Sequence, residues 1–236
     1  VRNDRDSTYW VISRSSGTNT FEMRHLTASE TPTVTTYSGG QTLDSLTNGE
    51  GYIKIGPADT TGGNTGNRPM AVVIPGPPKN SIDLYTFNDS TGVMKFERTL
   101  DLGAAPPKAY GVEFSPDGNN LYVTMLADTN SDGSQKGSSY ILKYDLTQSD
   151  SLLASSRTVV DSSTTRQYGS VQIGPDGRVY VAIKGSSTLG VIENPNGGLL
   201  DSLRFNPEGQ TLGGKTSQLG LPNLVTNFNE PSSGPG

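Results

Sequence analysis

Apolar and polar positions alternate in short runs along most of the chain, and one such run recurs. In "GVEFSPDGNNLYVTM" (111–125), Val112 and Phe114 set a period of two, Pro-Asp-Gly follows, and Leu121-Tyr122-Val123 resumes the apolar pattern. "GSVQIGPDGRVYVAI" (169–183) repeats it through Val171, Ile173 and Val179-Tyr180-Val181. "GYIKIGPAD" (51–59) carries its first half through Ile53 and Ile55, and Pro57, Pro116 and Pro175 stand 59 residues apart. Period-two alternation over a few residues predicts a half-buried strand. Pro-Asp-Gly predicts the turn, because Pro fixes φ, Asp bonds its own backbone and Gly accepts the left-handed conformation.

Two further strands follow in each unit. "SYILKYDLT" (139–147) aligns with "IDLYTFNDS" (82–90), "NTFEMRHLT" (19–27) with both, and "LGVIENPN" (189–196) is the last copy. The outermost strands are expected at "TVTTY" (33–37), "VMKFERTL" (93–100), "SRTVV" (156–160) and "LLDSLRF" (199–205). No long stretch has the i, i+3, i+4, i+7 spacing of a helix. Four short antiparallel strands per unit, repeated at a fixed period, predict an all-β fold, a β-propeller of about four four-stranded blades. The expected bounds are 1–48, 49–105, 106–165 and 166–215, with a closing innermost strand at 216–228 and a tail at 231–236. The first unit opens at "STYWVIS" as if on its second strand. Two geometries follow: 216–228 closes a four-bladed ring, or the chain is the rear half of a larger propeller. A chain that opens on Val1 rather than Met is expected to be processed or a fragment.

Composition narrows the class. Hydrophobic residues make up 31% and charged residues 17%, with 29 Gly and 15 Pro. So little charge argues against an ordinary disordered chain and for a turn-rich β fold. A net charge of -5 disfavours nucleic-acid partners, which need a basic face. No run of 18 apolar residues is present, so no membrane insertion is expected. Without cysteine there are no disulfides, thiolates or Cys-based zinc sites, and a single histidine removes multi-histidine metal sites.

The stretches "YWVIS" (9–13), "YGVEFSPDGNNLYVT" (110–124), "ILKYDL" (141–146), "VQIGPDGRVYVA" (171–182), "LGVIENPN" (189–196) and "GLPN" (220–223) occur in an order that resembles a known family. It is that of the SPDG-type propeller domains of large secreted or surface proteins of Bacteroidetes, associated with gliding motility and type IX secretion. The resemblance spans nearly the whole chain. It implies an extracellular or cell-surface location and a role in adhesion or recognition, and supplies no catalytic residues. It also favours the rear-half geometry, since similar strands usually precede the equivalent of residues 1–14. "IGPADTTGGNTGNRPMAVV" departs from the pattern, with an inserted loop where a compact SPDG turn is expected.

The clearest candidate site is "DTNSDG". Asp128, Asn130 and Asp132 stand at positions 1, 3 and 5 of a calcium-loop opening, with the Ser134 carbonyl as a fourth oxygen. Position 9 is then Lys136 and position 12 is Ser139 rather than a bidentate Glu, so a plain polar loop stands beside the calcium reading. Calcium is the one cofactor the sequence raises.

Asp117 and Asp176 belong to turns. His25 reads as a polar residue at a strand end, and no G-x-S-x-G occurs. "DTTGGNTGN" (59–67) lacks the Lys-Ser/Thr of a phosphate loop. Tyr9, Trp10, Tyr85, Tyr122, Tyr144 and Tyr180 read as packing residues, and "NDS" (88–90) fits a glycosylation sequon.

The expected function is a binding or adhesion module that presents loops to a glycan or protein surface ligand, a further partner being the remaining part of its own propeller. The alternative is a lactonase-like or glycan-cleaving enzyme with an axial acidic or metal site. What separates them is whether two or more acidic residues from different blades meet at the axis.

Overall fold

The computed structural model describes residues 1, 8–28, 31–42, 52–58, 66–77, 79–197 and 204–222. Its strands form successive antiparallel sheets in chain order. The first contains β1 (Tyr9–Arg14), β2 (Thr20–Leu26) and β3 (Thr33–Ser38). The second contains β4 (Ile53–Ile55), β5 (Asn67–Ile74), β6 (Ser81–Asn88) and β7 (Met94–Asp101), paired as a simple meander. In the third, β8 (Lys108–Phe114) and β9 (Asn120–Leu126) lead into a small hairpin of β10 (Asp128–Thr129) and β11 (Gln135–Lys136). β12 (Ser139–Asp145) and β13 (Thr158–Ser163) then complete the order β13-β12-β9-β8. The fourth contains β14 (Tyr168–Ile173), β15 (Val179–Ile183), β16 (Thr188–Ile192) and β17 (Phe205–Thr211).

The sheets stack face to face, which explains why the alternation weakens mid-chain. Every residue of β9 is buried. Leu121, Val123 and Met125 pack with Ala71, Val73, Ile82 and Leu84 of the second sheet, while Tyr122 packs with Tyr168, Val171 and Val181 of the fourth. Trp10, Phe21 and Met23 of the first sheet pack with Met70, Val72, Tyr85 and Phe87 of the second. A strand covered on both faces reads as a continuous apolar run, and one with a free face alternates. β1 alternates, burying Trp10 and leaving Val11 48% exposed. The whole is an all-β fold of several meander sheets, consistent with a β-propeller.

Pro-Asp-Gly forms the turns its chemistry predicts. Gly118 and Gly177 have φ of 74° and 75°. The Asp117 carboxylate accepts from Ser115 Oγ at 2.5 Å and Asn119 N at 3.1 Å; Asp176 accepts from Tyr180 O–H at 2.8 Å.

Three expectations need correcting. A four-residue helix, α1 (Asp150–Leu153), and a 3-10 turn at Ala154–Ser156 precede β13, with Leu153 buried as a plug in the core. One apolar contact in so short an element leaves no periodic signal. The outer strand of the fourth sheet is 205–211 rather than 199–205, of which 199–203 lie outside the described residues. It carries Pro207 and Gly209, which an edge strand tolerates because one side of its backbone has no partner. Residues 216–222 form no strand, and 223–228 lie outside the described residues. The Leu219 carbonyl accepts from Ser170 N at 2.7 Å, and Ser217 exchanges backbone bonds with Gly185 and Ser186. This segment is therefore tied alongside the fourth sheet.

Trp10 is the only tryptophan and clamps the first sheet to the second. Its Nε1–H donates to the Asp89 carbonyl at 2.7 Å, and its ring stacks on His25 with centroids 4.4 Å apart. Trp10→Phe keeps most of the apolar area and leaves a buried carbonyl without that donor. We expect a loss of about 1–3 kcal/mol in urea unfolding followed by circular dichroism.

Candidate functional site

The first strands of three sheets, β4, β8 and β14, approach one another along a common line. The residue between each apolar pair is Lys54 in β4, Glu113 in β8 and Gln172 in β14, and these are spaced by the same 59 residues as the prolines. The repeat thus sets three polar side chains at one register position, where these strands meet. Lys54 Nζ lies 3.0 Å from Glu113 Oε2 and donates to Gln172 Oε1 at 2.5 Å. The same carboxylate accepts from Ile173 N at 2.9 Å and Phe114 N at 3.0 Å. Gln172 Nε2 donates to the Ile173 carbonyl at 3.2 Å. All three residues are buried.

Burial pushes the Glu113 carboxyl up from the ordinary value, opposed by the Lys54 ammonium and by the Ile173 and Phe114 amides. Both Glu113 oxygens are therefore engaged, and the ammonium is directed at two neighbours. One step along the strands, the hydroxyls of Tyr52 and Ser170 hydrogen-bond to each other. The sequence reading, built on the apolar residues of the repeat, does not bring this cluster together. The signal was there: the positions between them carry Lys, Glu and Gln in register, a polar set on strands expected to face one another.

The approach of the first strands joins one carboxylate, one ammonium and one amide among the described residues. No group of three or more His, Asp or Glu positioned to hold a metal occurs among the described residues.

The predicted calcium-loop residues lie elsewhere, on the β10–β11 hairpin. Asp128 and Lys136 are cross-strand partners, and Asn130, Asp132 and Ser134 form the exposed tip. The Ser134 carbonyl accepts from Asn130 N at 2.8 Å. Asp132 Oδ1 accepts from Ser134 N at 2.8 Å and Ser134 Oγ at 2.6 Å, and those hydrogen bonds hold its carboxyl below the ordinary range. Gly133, at φ 82°, makes the bend. Two of the four candidate oxygens are thus turned onto the loop's own donors, as a polar turn requires. We expect thermal melts in chelator and in millimolar calcium to coincide. A rise with calcium that Asp132→Ala abolishes would assign the loop to metal binding instead.

The remaining polar candidates are built into the sheets. His25 accepts or donates a hydrogen bond with Thr8 Oγ1 at 2.6 Å while stacked on Trp10. Asn88 Nδ2, the sequon nitrogen, donates to Asn67 Oδ1 at 2.8 Å. Of the 59–67 loop, 59–65 lie outside the described residues, while Gly66 turns at φ 94° and Asn67 opens β5. Arg68 and Asp89 form a buried ion pair at 2.6 Å, which fastens the second sheet beneath Trp10.

An all-β stack of meander sheets with polar groups at the approach of its first strands defines the class. No family model and no curated protein matches the chain. Among solved structures it is similar to a protein from Lactobacillus plantarum, a structural-genomics target, at 19% identity and a TM-score of 0.45 over 86% of this chain. It is also similar to a puromycin hydrolase mutant, at 13% identity and a TM-score of 0.38 over 79% of this chain. The chain spans 54% of the first protein and 29% of the second.

Proposed function

We propose that this chain is a binding or adhesion module working outside the cell or at its surface, as its resemblance to the secreted SPDG-type domains of Bacteroidetes implies. One observation carries the reading. The axial side chains Lys54, Glu113 and Gln172 are spent on each other and on neighbouring amides, so they hold the strands together rather than wait for a reactant. The ligand is then met by loops on a rigid scaffold. Binding to glycan arrays and to intact cells tests this, and silence in both sinks it.

The sheets are read as consecutive blades of a propeller, either closed within this chain or continued beyond it. Support comes from a repeated close approach. A Cβ on Gly111 of β8 would meet the Gly169 and Ser170 backbone of β14 at 2.9 Å, and a Cβ on Gly169 would collide with the Leu219 carbonyl oxygen and lie 2.7 Å from Leu219 Cα. The 217–219 segment thus stands to β14 as β14 stands to β8, one step further around the axis. Light scattering of the purified chain checks the geometry: a compact, concentration-independent monomer favours a closed ring of four.

A further inference from the structure

We infer that the cleft between the second and third sheets is a receptor site for the C-terminal residue of a peptide ending in an aliphatic or aromatic side chain. The inference rests on the binding-module reading and names its ligand class. The cleft measures about 260 Å³. Apolar side chains line part of it: Leu102 and Pro107 from the segment after β7, Met125 at the end of β9, and Leu142 and Val159 from β12 and β13. Two polar groups stand among them, the Tyr140 phenol and the Arg157 guanidinium.

Three features select the ligand. First, the apolar walls reach the surface. Leu142 and Met125 are each 4% exposed and form the floor, whereas Val159 is 48% exposed and forms a rim. A floor of core residues opening onto an exposed valine offers continuous apolar surface to a guest side chain.

Second, neither polar group is hydrogen-bonded or ion-paired among the described residues, and the Arg157 charge acts on the Tyr144 phenol from a distance. Arg157 is exposed and makes no hydrogen bond or ion pair with the described residues, and the Tyr140 hydroxyl has no hydrogen-bond partner among them. The other arginines near the sheet interfaces differ. Arg68 is paired with Asp89, and Arg98 binds Asp150 Oδ1 at 2.7 Å and the Gln148 carbonyl at 3.1 Å. A planar guanidinium and a phenolic O–H lining one cleft with apolar side chains are complementary to a carboxylate, which accepts from both.

Third, the size is right for one residue. The volume is below the usual range for drug-sized ligands, which suits a single large side chain with its carboxylate. Capture of a terminal carboxylate is an established recognition mode for peptide-binding domains.

The test uses the folded chain and fluorescein-labelled hexapeptides ending in Leu, Met or Phe, each as the free acid and as the carboxamide, read by fluorescence polarisation. Binding of the free acids, weakened roughly 10-fold or more by amidation and by Arg157→Gln, is the expected result. Arg157→Lys should retain part of the affinity, since it keeps the charge and loses the fork. Val159→Glu on the rim should abolish binding by placing a like charge beside the carboxylate. Arg157 and Val159 are both exposed, so circular dichroism should show each variant folded.

No binding by any peptide, or binding indifferent to amidation and to Arg157→Gln, overturns the inference. Should the peptides fail while glycan arrays or cells bind, the cleft proposal falls and the binding-module reading stands. Should all three be silent, both fall.

Discussion

Lys54→Ala should destabilise the fold by about 3–5 kcal/mol, measured as a lower urea midpoint at unchanged slope. The substitution removes the cation beside Glu113, a carboxylate that is 1% exposed and cannot recover water. It also takes the donor from Gln172 Oε1. Part of the loss should return in Lys54→Met with Glu113→Gln. That pair discards both charges and keeps an oxygen for one of the two amides, Ile173 N or Phe114 N, the other losing its acceptor. Failure of the double variant to recover would mean that the charges themselves order the strands.

The same site has a pH signature of definite sign. Burial raises the folded-state pKa of Glu113 above its ordinary value, so the fold favours the protonated form. Its contribution to stability is then greatest below the ordinary carboxylate pKa and declines as pH climbs from there to the raised folded value. The stability of the wild type relative to Glu113→Gln should accordingly fall with rising pH across that interval. The opposite slope would show that Lys54 and the two amides outweigh burial.

Gly111→Val should be comparably damaging, at about 3 kcal/mol or more, because it drives a branched side chain between two backbones. Even a single Cβ there would lie 2.9 Å from Gly169 O and from Ser170 Cα, and 3.0 Å from Thr124 Oγ1. None of these is the free end of a flexible side chain. Thr124 Oγ1 accepts from Gly111 N at 2.8 Å and donates to Gly169 O at 2.7 Å, so it stitches the strands at the point of contact. Gly220→Ala is the control. Nothing lies within 4 Å of its added Cβ, and stability should change by no more than about 0.5 kcal/mol. If Gly220→Ala proved as costly as Gly111→Val, close approach of the inner strands would not be the reason these glycines matter.

Local physics made much of the fold legible. Pro-Asp-Gly dictates its turn within four residues, and Gly118 and Gly177 adopt the conformation it needs. Alternation at Val112 and Phe114, and at Val171 and Ile173, placed the first strands, since a period of two describes an element with its own geometry. Errors arose where local preference was weak or overruled. β17 contains Pro and Gly and has little strand propensity; it exists because the edge of β16 offers it a partner. The α1 turn is fixed by Leu153 entering a core built by other sheets. At the calcium-like spacing of Asp128, a pattern of oxygens does not by itself say which donors face them. In the folded hairpin, Ser134 and Asn130 supply those donors.

What the sequence determined alone was the repeat: strand, turn, strand, at 59 residues, with the same residue types at the same steps. What only the tertiary structure decided was which equivalent positions meet. Lys54, Glu113 and Gln172 are far apart in the chain, and nothing local distinguishes an inward lysine from a solvated one. Stacking the sheets brings their first strands together. A charge that would be unremarkable at the surface then becomes a buried partner, held by Coulomb attraction and hydrogen bonds that exist only once the strands converge.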